Sequence, residues 1–460
     1  MARSKVTGAE HNVHKRNFFY YMIYPYVKAV FFRFYGKLEV RGLENIPRNE
    51  PVIFAPNHQN ALMDALIVLF SAPQDIVFLA RADIFSKKIM AFFLNSMKML
   101  PVFRQRDGAS ELGKNVDIFD ISVSVLHNRH YLCVMPEGNH GEGRKLRTIV
   151  KGIFRIAFKA QEKYADKPFV KILPVGIDVG HYVKQNQKLL IQYGKPIEVS
   201  EYWDQYNESN ARGINAMKSR LGEEIKPLMI HIESEEFYDT LMGVKPIFNP
   251  QMREILGIEG SKHSDQFVAD KEIIARLEAA ASTDAEQVRP LAEAVKQYMA
   301  GVEKLNVRDW VVRDKGYGFL RTLWRYLTLI VTLPVFLFGF ITNIIPYHLP
   351  VRMVRNIKDL QFHSSVKAGL GFLLVFPVTY LVLTVLVAIF THHWWIPVIF
   401  LVSLLPMGML ALTWYLRLKK TQRGGWFARQ LRSSNPSALD LVKQREEVIK
   451  LTNDLVNPSS

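Results

Sequence analysis

The chain has 460 residues, 49% of them hydrophobic, and a formal net charge of +16. Such a length suits two or three domains, and the positive balance suits an anionic partner such as a membrane surface or a phosphorylated substrate. The single cysteine, Cys133, excludes a disulfide framework and a cysteine-built zinc site, and its setting in Tyr131-Leu132-Cys133-Val134-Met135 suggests a buried strand position rather than a nucleophile.

Met1–Asn17 is polar and basic without an apolar core, so no signal peptide is expected. Residues 18–35 read FFYYMIYPYVKAVFFRFY. Pro25, Lys28 and Arg33 interrupt a run already shorter than the ~20 residues of a bilayer span. Its aromatic and basic content suits a helix lying in the membrane interface, the alternative being a core helix of the adjoining domain. From Gly36 to about Phe237, short β-like runs at 52–55, 76–79, 131–135, 170–177 and 188–193 alternate with helical patterns, which predicts an α/β domain. Residues 238–320 are polar and charged with helical periodicity at 270–282 and 285–306, a helical insertion or linker capped near Ser282-Thr283-Asp284. Three long uncharged stretches come next, Tyr326–Tyr347, Ala368–Phe390 and Trp394–Leu416, each long enough to cross a bilayer. The division expected is therefore 1–35, 36–237, 238–320, a membrane domain over 321–418, and a basic tail over 419–460.

Four stretches carry candidate chemistry. In Asn57-His58-Gln59-Asn60-Ala61-Leu62-Met63-Asp64, an imidazole and a carboxylate lie between an apolar strand and an apolar helix. With no Ser or Cys nucleophile beside it, His58 suits a general base that takes the proton of an attacking substrate hydroxyl, with Asp64 fixing its tautomer. The alternative is a structural histidine at a helix N-cap. Leu100–Asp107 places Arg104 and Arg106 after an apolar run, where two guanidinium forks can grip a phosphate or lie paired with Asp107 on the surface. Pro136-Glu137-Gly138 leads into a glycine-rich basic loop with Arg144, Lys145 and Arg147, which suits an anion or is simply a charged loop. Glu137 could bind a substrate hydroxyl. Ile172–Asp178 is an apolar strand in which Pro174 predicts an edge or a bulge; with Val175 it reads as a pocket wall for an apolar group, or as plain sheet core.

In this order, over about Gly36 to Ile197, the four stretches resemble the blocks of the PlsC-type glycerophosphate acyltransferases. The five residues between His58 and Asp64, and Asn139-His140 after Glu137-Gly138, resemble the branch of fungal glycerol-3-phosphate and dihydroxyacetone-phosphate acyltransferases. A six-residue helical step rotates by about 240°, so His58 and Asp64 need a turn between them to meet. The resemblance implies a central mixed sheet flanked by helices, His58 as base with Asp64 behind it, and an acceptor held by Arg104, Arg106, Glu137 and Gly138. Arg144 and Lys145 are further candidates from charge alone. It implies an acyl-CoA or acyl carrier protein thioester as co-substrate, a glycerol phosphate acceptor, and no metal or other cofactor. Lysophosphatidate is the alternative acceptor. A catalytically silent protein binding anionic lipid is the reading from a different class, and the three apolar stretches disfavour nucleic acid as partner. The chain is expected to be an integral membrane protein on an anionic bilayer. Basic stretches around the apolar ones put the catalytic domain on the cytoplasmic face. They also predict a transmembrane hairpin, 368–390 with 394–416, and a re-entrant segment at 326–347.

Overall fold

The structure, a computed structural model, describes residues 18–86, 88–103, 113, 115–139, 141, 143–164, 168–182, 184–358, 360 and 362–457. The chain divides into two compact units, Met1–His231 with Ile357–Ala368, and Ile232–Asn356 with Gly369–Ser460.

The first unit is the expected α/β domain. Its described strands are β1 (Leu38–Arg41), β2 (Val52–Pro56), β3 (Ile76–Arg81), β4 (Met99–Val102), β5 (Tyr131–Cys133), β6 (Lys171–Val179), β7 (Leu189–Tyr193) and β8 (Ile197–Glu198). They form one mixed sheet in the order β1-β7-β6-β2-β5-β3-β4, with β8 also beside β6. β6 runs antiparallel to β7 and β8, and the other pairs are parallel. Every residue of β2 and β5 is buried, as expected of central strands covered on both faces.

Helices α1 (Phe18–Tyr35), α2 (Leu62–Ser71), α3 (Lys88–Ser96), α4 (Asn115–His127), α5 (Gly152–Gln161) and α6 (Asn210–Ile225) flank the sheet. Residues of α4, α5 and α6 share one core with β2, β5 and β6, through Ile118, Ile121, Phe154, Phe158, Met217 and Leu221 among others. The α1 helix packs its aromatic face against Phe70 of α2 and Phe92 and Phe93 of α3, and exposes Phe18, Tyr21 and Met22 on the other side.

Pro174 corrects one expectation. It lies in β6, inside the sheet rather than at an edge. On one flank β6 pairs with β8 at Lys171 and Ile172, and with β7 from Val175 onward. Pro174 falls between these two partners, so its missing N–H breaks no ladder bond.

In the second unit, α7 (Tyr238–Ile255), α8 (His263–Thr283) and α9 (Ala285–Lys304) are the expected polar helices. Asp284 caps α9, its carboxylate accepting the N–H of Glu286 at 3.0 Å. Beyond them come α10 (Phe319–Val331), α11 (Leu333–Met353), α12 (Phe376–Phe390), α13 (Trp395–Arg432) and α14 (Pro436–Val456). The buried Arg445 of α14 pairs with Asp309 at 2.8 Å, and Tyr298 of α9 donates to the same carboxylate at 2.7 Å. Residues far apart in sequence therefore meet in one bundle. Among the described residues, three helical stretches are long and apolar enough to cross a membrane: Leu333–Asn356, Phe362–Phe390 and Trp395–Arg432. Gly339 of α11 lies so close to Met407 of α13 that a Cβ would stand 2.1 Å from its carbonyl oxygen. Asn343 Nδ2 donates to Leu404 O at 3.2 Å and its Oδ1 accepts from Tyr380 at 2.6 Å. Small residues at the crossing and a satisfied amide suit helices packed in lipid.

Candidate active site

β2 and β5 are parallel neighbours, so the loops that leave their carboxyl ends emerge on one edge of the sheet. Such an edge is where open α/β sheets bind ligands. The first loop begins at Asn57, which is buried. Its side chain receives Ile177 N–H at 2.6 Å and donates to Ile177 O at 3.1 Å, extending the β2–β6 pairing by side chain. Its backbone N–H donates to Val175 O at 3.2 Å.

The next residues turn sharply, with Ala61 at φ 44° as N-cap of α2. This is the turn that a five-residue spacing requires. It brings Asp64, in the first turn of α2, back over the loop. Asp64 Oδ2 stands 3.0 Å from His58 Nδ1 and accepts the N–H groups of Gln59 and Asn60 at 2.8 and 2.7 Å. The His58 ring therefore bonds a carboxylate, and the N-cap position is Ala61. Asp64 is 1% exposed and His58 13%, so the carboxylate is sealed while the ring reaches the surface. An ionised Asp64 keeps the proton on Nδ1, and Nε2 then carries the basic lone pair.

The second loop begins after β5. Glu137 is buried and bridges the two loops, with Oε1 accepting His58 N–H at 2.7 Å and Oε2 accepting Arg147 N–H at 3.2 Å. Burial pushes its carboxyl above the usual carboxylate range, against the opposing pull of those two N–H groups and of the His58 and Arg147 charges. Gly138 turns the chain with φ 67° and donates to Met135 O at 3.0 Å. Arg144 is buried, its guanidinium bonded to Asp178 and to Val179 O and lying 4.8 Å from the Tyr182 ring. Lys145 is half-buried on the same loop. Pro174 and Val175 are buried in the sheet, and Val175 holds the His58 loop through its carbonyl. Arg104 and Arg106 lie outside the described residues, just beyond the end of β4 at Val102.

Several supporting residues were not legible in the sequence. Gln59 donates to Gly143 O at 3.1 Å and accepts from Tyr182, tying the two loops together a second time. Asn60 donates to Tyr35 Oη at 2.8 Å. Burial, and then the Asp64 charge, raises the Tyr35 phenol, so it stays protonated. Ser364, on the one-turn helix Phe362–Val366, donates to Tyr182 O. Only the polar character of Gln59 and Asn60 beside His58 signalled any of this. Cys133 is a buried β5 residue whose thiol burial keeps protonated.

Residues 37–178 match the family model described as Acyltransferase. This stretch is an acyltransferase domain. The match spans both loops of the site, from β1 to Asp178. The chain is 25% identical over 208 residues to a chloroplastic 1-acyl-sn-glycerol-3-phosphate acyltransferase of Arabidopsis thaliana, covering 44% of this chain and 55% of that protein. It is 25% identical over 134 residues to glycerol-3-phosphate O-acyltransferase 2 of Saccharomyces cerevisiae, covering 28% of this chain and 17% of that one. The chain thus spans about half the length, or less, of these curated relatives. Among solved structures it is similar to the 1-acyl-sn-glycerophosphate acyltransferase PlsC of Thermotoga maritima, with a TM-score of 0.31 and 21% identity over 44% of this chain and 78% of that chain. The acyltransferase domain accounts for the His58, Glu137 and Pro174 blocks and leaves the second unit outside the matched region.

Proposed function

We propose that the protein is a membrane-bound O-acyltransferase that moves a fatty acyl group from an acyl-CoA or acyl carrier protein thioester to glycerol 3-phosphate or dihydroxyacetone phosphate. The observation that carries this reading is the His58–Asp64 pair, held by buried hydrogen bonds on an acyltransferase domain.

In the proposed reaction, His58 Nε2 takes the proton of the acceptor hydroxyl as its oxygen attacks the thioester carbonyl carbon. The tetrahedral intermediate collapses with loss of the C–S bond. The imidazolium returns the proton to the thiolate, giving an ester and a free thiol. Asp64 stabilises the imidazolium throughout. Arg104 and Arg106 are proposed to hold the acceptor phosphate by charge-assisted bonds, and Lys145 to add to that field. The thioester is already activated, so the proposal needs no metal or other cofactor. We place the domain on the cytoplasmic face of the membrane, which agrees with the basic stretches around the apolar helices.

Lysophosphatidate is the second reading, favoured by the relative that carries a 1-acyl-glycerol phosphate name. The test is transfer of a labelled acyl chain by the purified protein to glycerol 3-phosphate, dihydroxyacetone phosphate and lysophosphatidate, with His58→Ala as control. Turnover on either of the first two, lost in His58→Ala, is expected. Turnover on lysophosphatidate alone establishes the second reading. No transfer to any acceptor, or full activity in His58→Ala, overturns the mechanism.

A further inference from the structure

The second unit holds a cavity of about 910 Å³ between α10 and α13. Phe319, Leu323 and Tyr326 form its wall on α10, spaced as one face of that helix, and Trp426 extends the wall on α13. Lys419, Arg423, Arg429 and Arg432 line the same space, and among the described residues the lining contains no acidic side chain. The wall is open to solvent, with Phe319 63% and Leu323 46% exposed.

The groove is built by close packing of its two helices. Tyr317 N–H donates to Gly424 O at 3.0 Å, and a Cβ on Gly425 would stand 2.9 Å from Thr322 Cγ2. Arg321 and Arg325 stack on Tyr317, and Arg325 Nε donates to Thr421 Oγ1 at 2.8 Å. Arg325 thus joins the two helices, whereas Lys419, Arg423, Arg429 and Arg432 line the groove.

Its depth is set by the sequence of α13. Trp395–Leu416 carries no charge, and its length of about 33 Å matches a hydrocarbon core of about 30 Å. Lys419 then lies about 5 Å past the apolar boundary, within a headgroup layer of about 5–8 Å, and Arg423 about 10 Å past it, where its long side chain can reach back into that layer. α10 exposes Leu320, Trp324, Ile330 and Val331 and so resembles an interfacial helix. Lys419 and Arg423 beside Leu323 and Tyr326, close to the height of the phosphates, complement a molecule with an anionic head and an apolar chain.

We propose that this groove binds one anionic membrane phospholipid, its phosphate between Lys419 and Arg423 and an acyl chain running from Leu323 past Tyr326 toward the hydrocarbon core, the direction in which α10 approaches the apolar part of α13 at Trp414. The inference stands apart from the acyltransferase reaction, because no residue of the groove belongs to the acyltransferase domain.

The test uses the full chain in neutral detergent, titrated with labelled phosphatidylglycerol or phosphatidylcholine. Lys419→Ala/Arg423→Ala is compared with Lys443→Ala/Lys450→Ala, which removes the same charge from the exposed face of α14. The groove variant should lose phosphatidylglycerol affinity by about tenfold or more, with phosphatidylcholine binding unchanged and the α14 variant near wild type. Arg423→Gln, which keeps most of the stem packing, gives the same readout at smaller amplitude if the double variant melts early. Equal losses in both double variants would reduce the effect to general charge. Displacement by inorganic phosphate at the lipid's own concentration would make the groove a free-anion site. Either result, or unchanged binding in the groove variants, overturns the proposal.

Discussion

The Glu137 carboxylate accepts the backbone N–H of His58 at 2.7 Å. The Pro-Glu-Gly stretch therefore acts on the histidine stretch directly, by fixing the peptide that carries the proposed base. Its other oxygen holds Arg147 N–H, so one buried side chain sets the distance between the two loops. A carboxylate so engaged can position the base whether or not it also meets substrate.

Glu137→Gln should lower kcat by about a hundredfold, since a displacement of about 1 Å at a reacting group can have that effect. Its pH signature is separate. Burial raises the Glu137 carboxyl above its ordinary 4.5. A raised carboxyl contributes stability that is fully present below the ordinary value and lost as pH rises through the raised one. The wild-type Tm should therefore fall relative to that of Glu137→Gln as the pH is raised from about 4.5. Melting curves that keep a constant offset as the pH is raised from about 4.5 would rule the burial effect out.

Asp64→Asn should reduce kcat by up to about 10⁴-fold, the loss seen when a triad carboxylate no longer holds the right tautomer. An amide nitrogen facing two backbone N–H groups also strands donors, so the variant should melt earlier. Steady-state kinetics with near-normal kcat would remove Asp64 from the mechanism.

Arg144→Ala leaves the Asp178 carboxylate buried without its guanidinium, a loss of about 3–5 kcal/mol for a buried pair broken on one side. Both side chains are 8% exposed, so solvent screens them little. The double variant Arg144→Met/Asp178→Leu should recover most of that stability in denaturant unfolding. It also separates two roles for Arg144. Recovery of stability with a normal acceptor KM means that the arginine only anchors its loop. Recovery with a KM still raised about tenfold means that it also meets the phosphate.

Five of the strands were legible because they are apolar, central and punctuated by Pro or Gly. β1 was not, since Leu38–Arg41 is a half-buried edge strand with no apolar run to mark it. β8 is only two residues long. The placement of Pro174 was misread because the sequence does not show that β6 changes partners at that residue. At the site, His58 and Asp64 could be found by residue type. The ties made by Asn57, Gln59 and Tyr182 could not, because they join positions 84 to 123 residues apart. The docking of Phe362–Val366 beside α2 was likewise invisible, since its partner positions lie far back in the chain.

That docking bears on membrane topology. The chain leaves the first unit at Ile232, passes through α10 and α11, and returns to the first unit at Ile357. There Ser364 bonds Tyr182 O and Phe362 lies 6.0 Å from the Arg81 guanidinium. With all parts of the first unit on one side of a bilayer, the chain between Ile232 and Ile357 crosses an even number of times. The one long apolar helix in that interval is α11. A single crossing by α11 would divide that unit across the bilayer, and we predict that α11 enters and leaves on the same side, with 368–390 and 394–416 forming the transmembrane hairpin. The break between α10 and α11 falls at Thr332, and Trp414 Nε1 donates to the nearby Leu329 O at 3.0 Å, which satisfies backbone freed there. Cysteine labelling in intact cells tests this in a Cys133→Ser background. Lys358, His392 and Ser433 are all exposed, so accessibility within the protein does not bias the result. His392→Cys should react with an impermeant maleimide, and Lys358→Cys and Ser433→Cys should react only after the cells are opened. Labelling of Lys358→Cys and Ser433→Cys from outside, with His392→Cys protected, would instead establish three crossings.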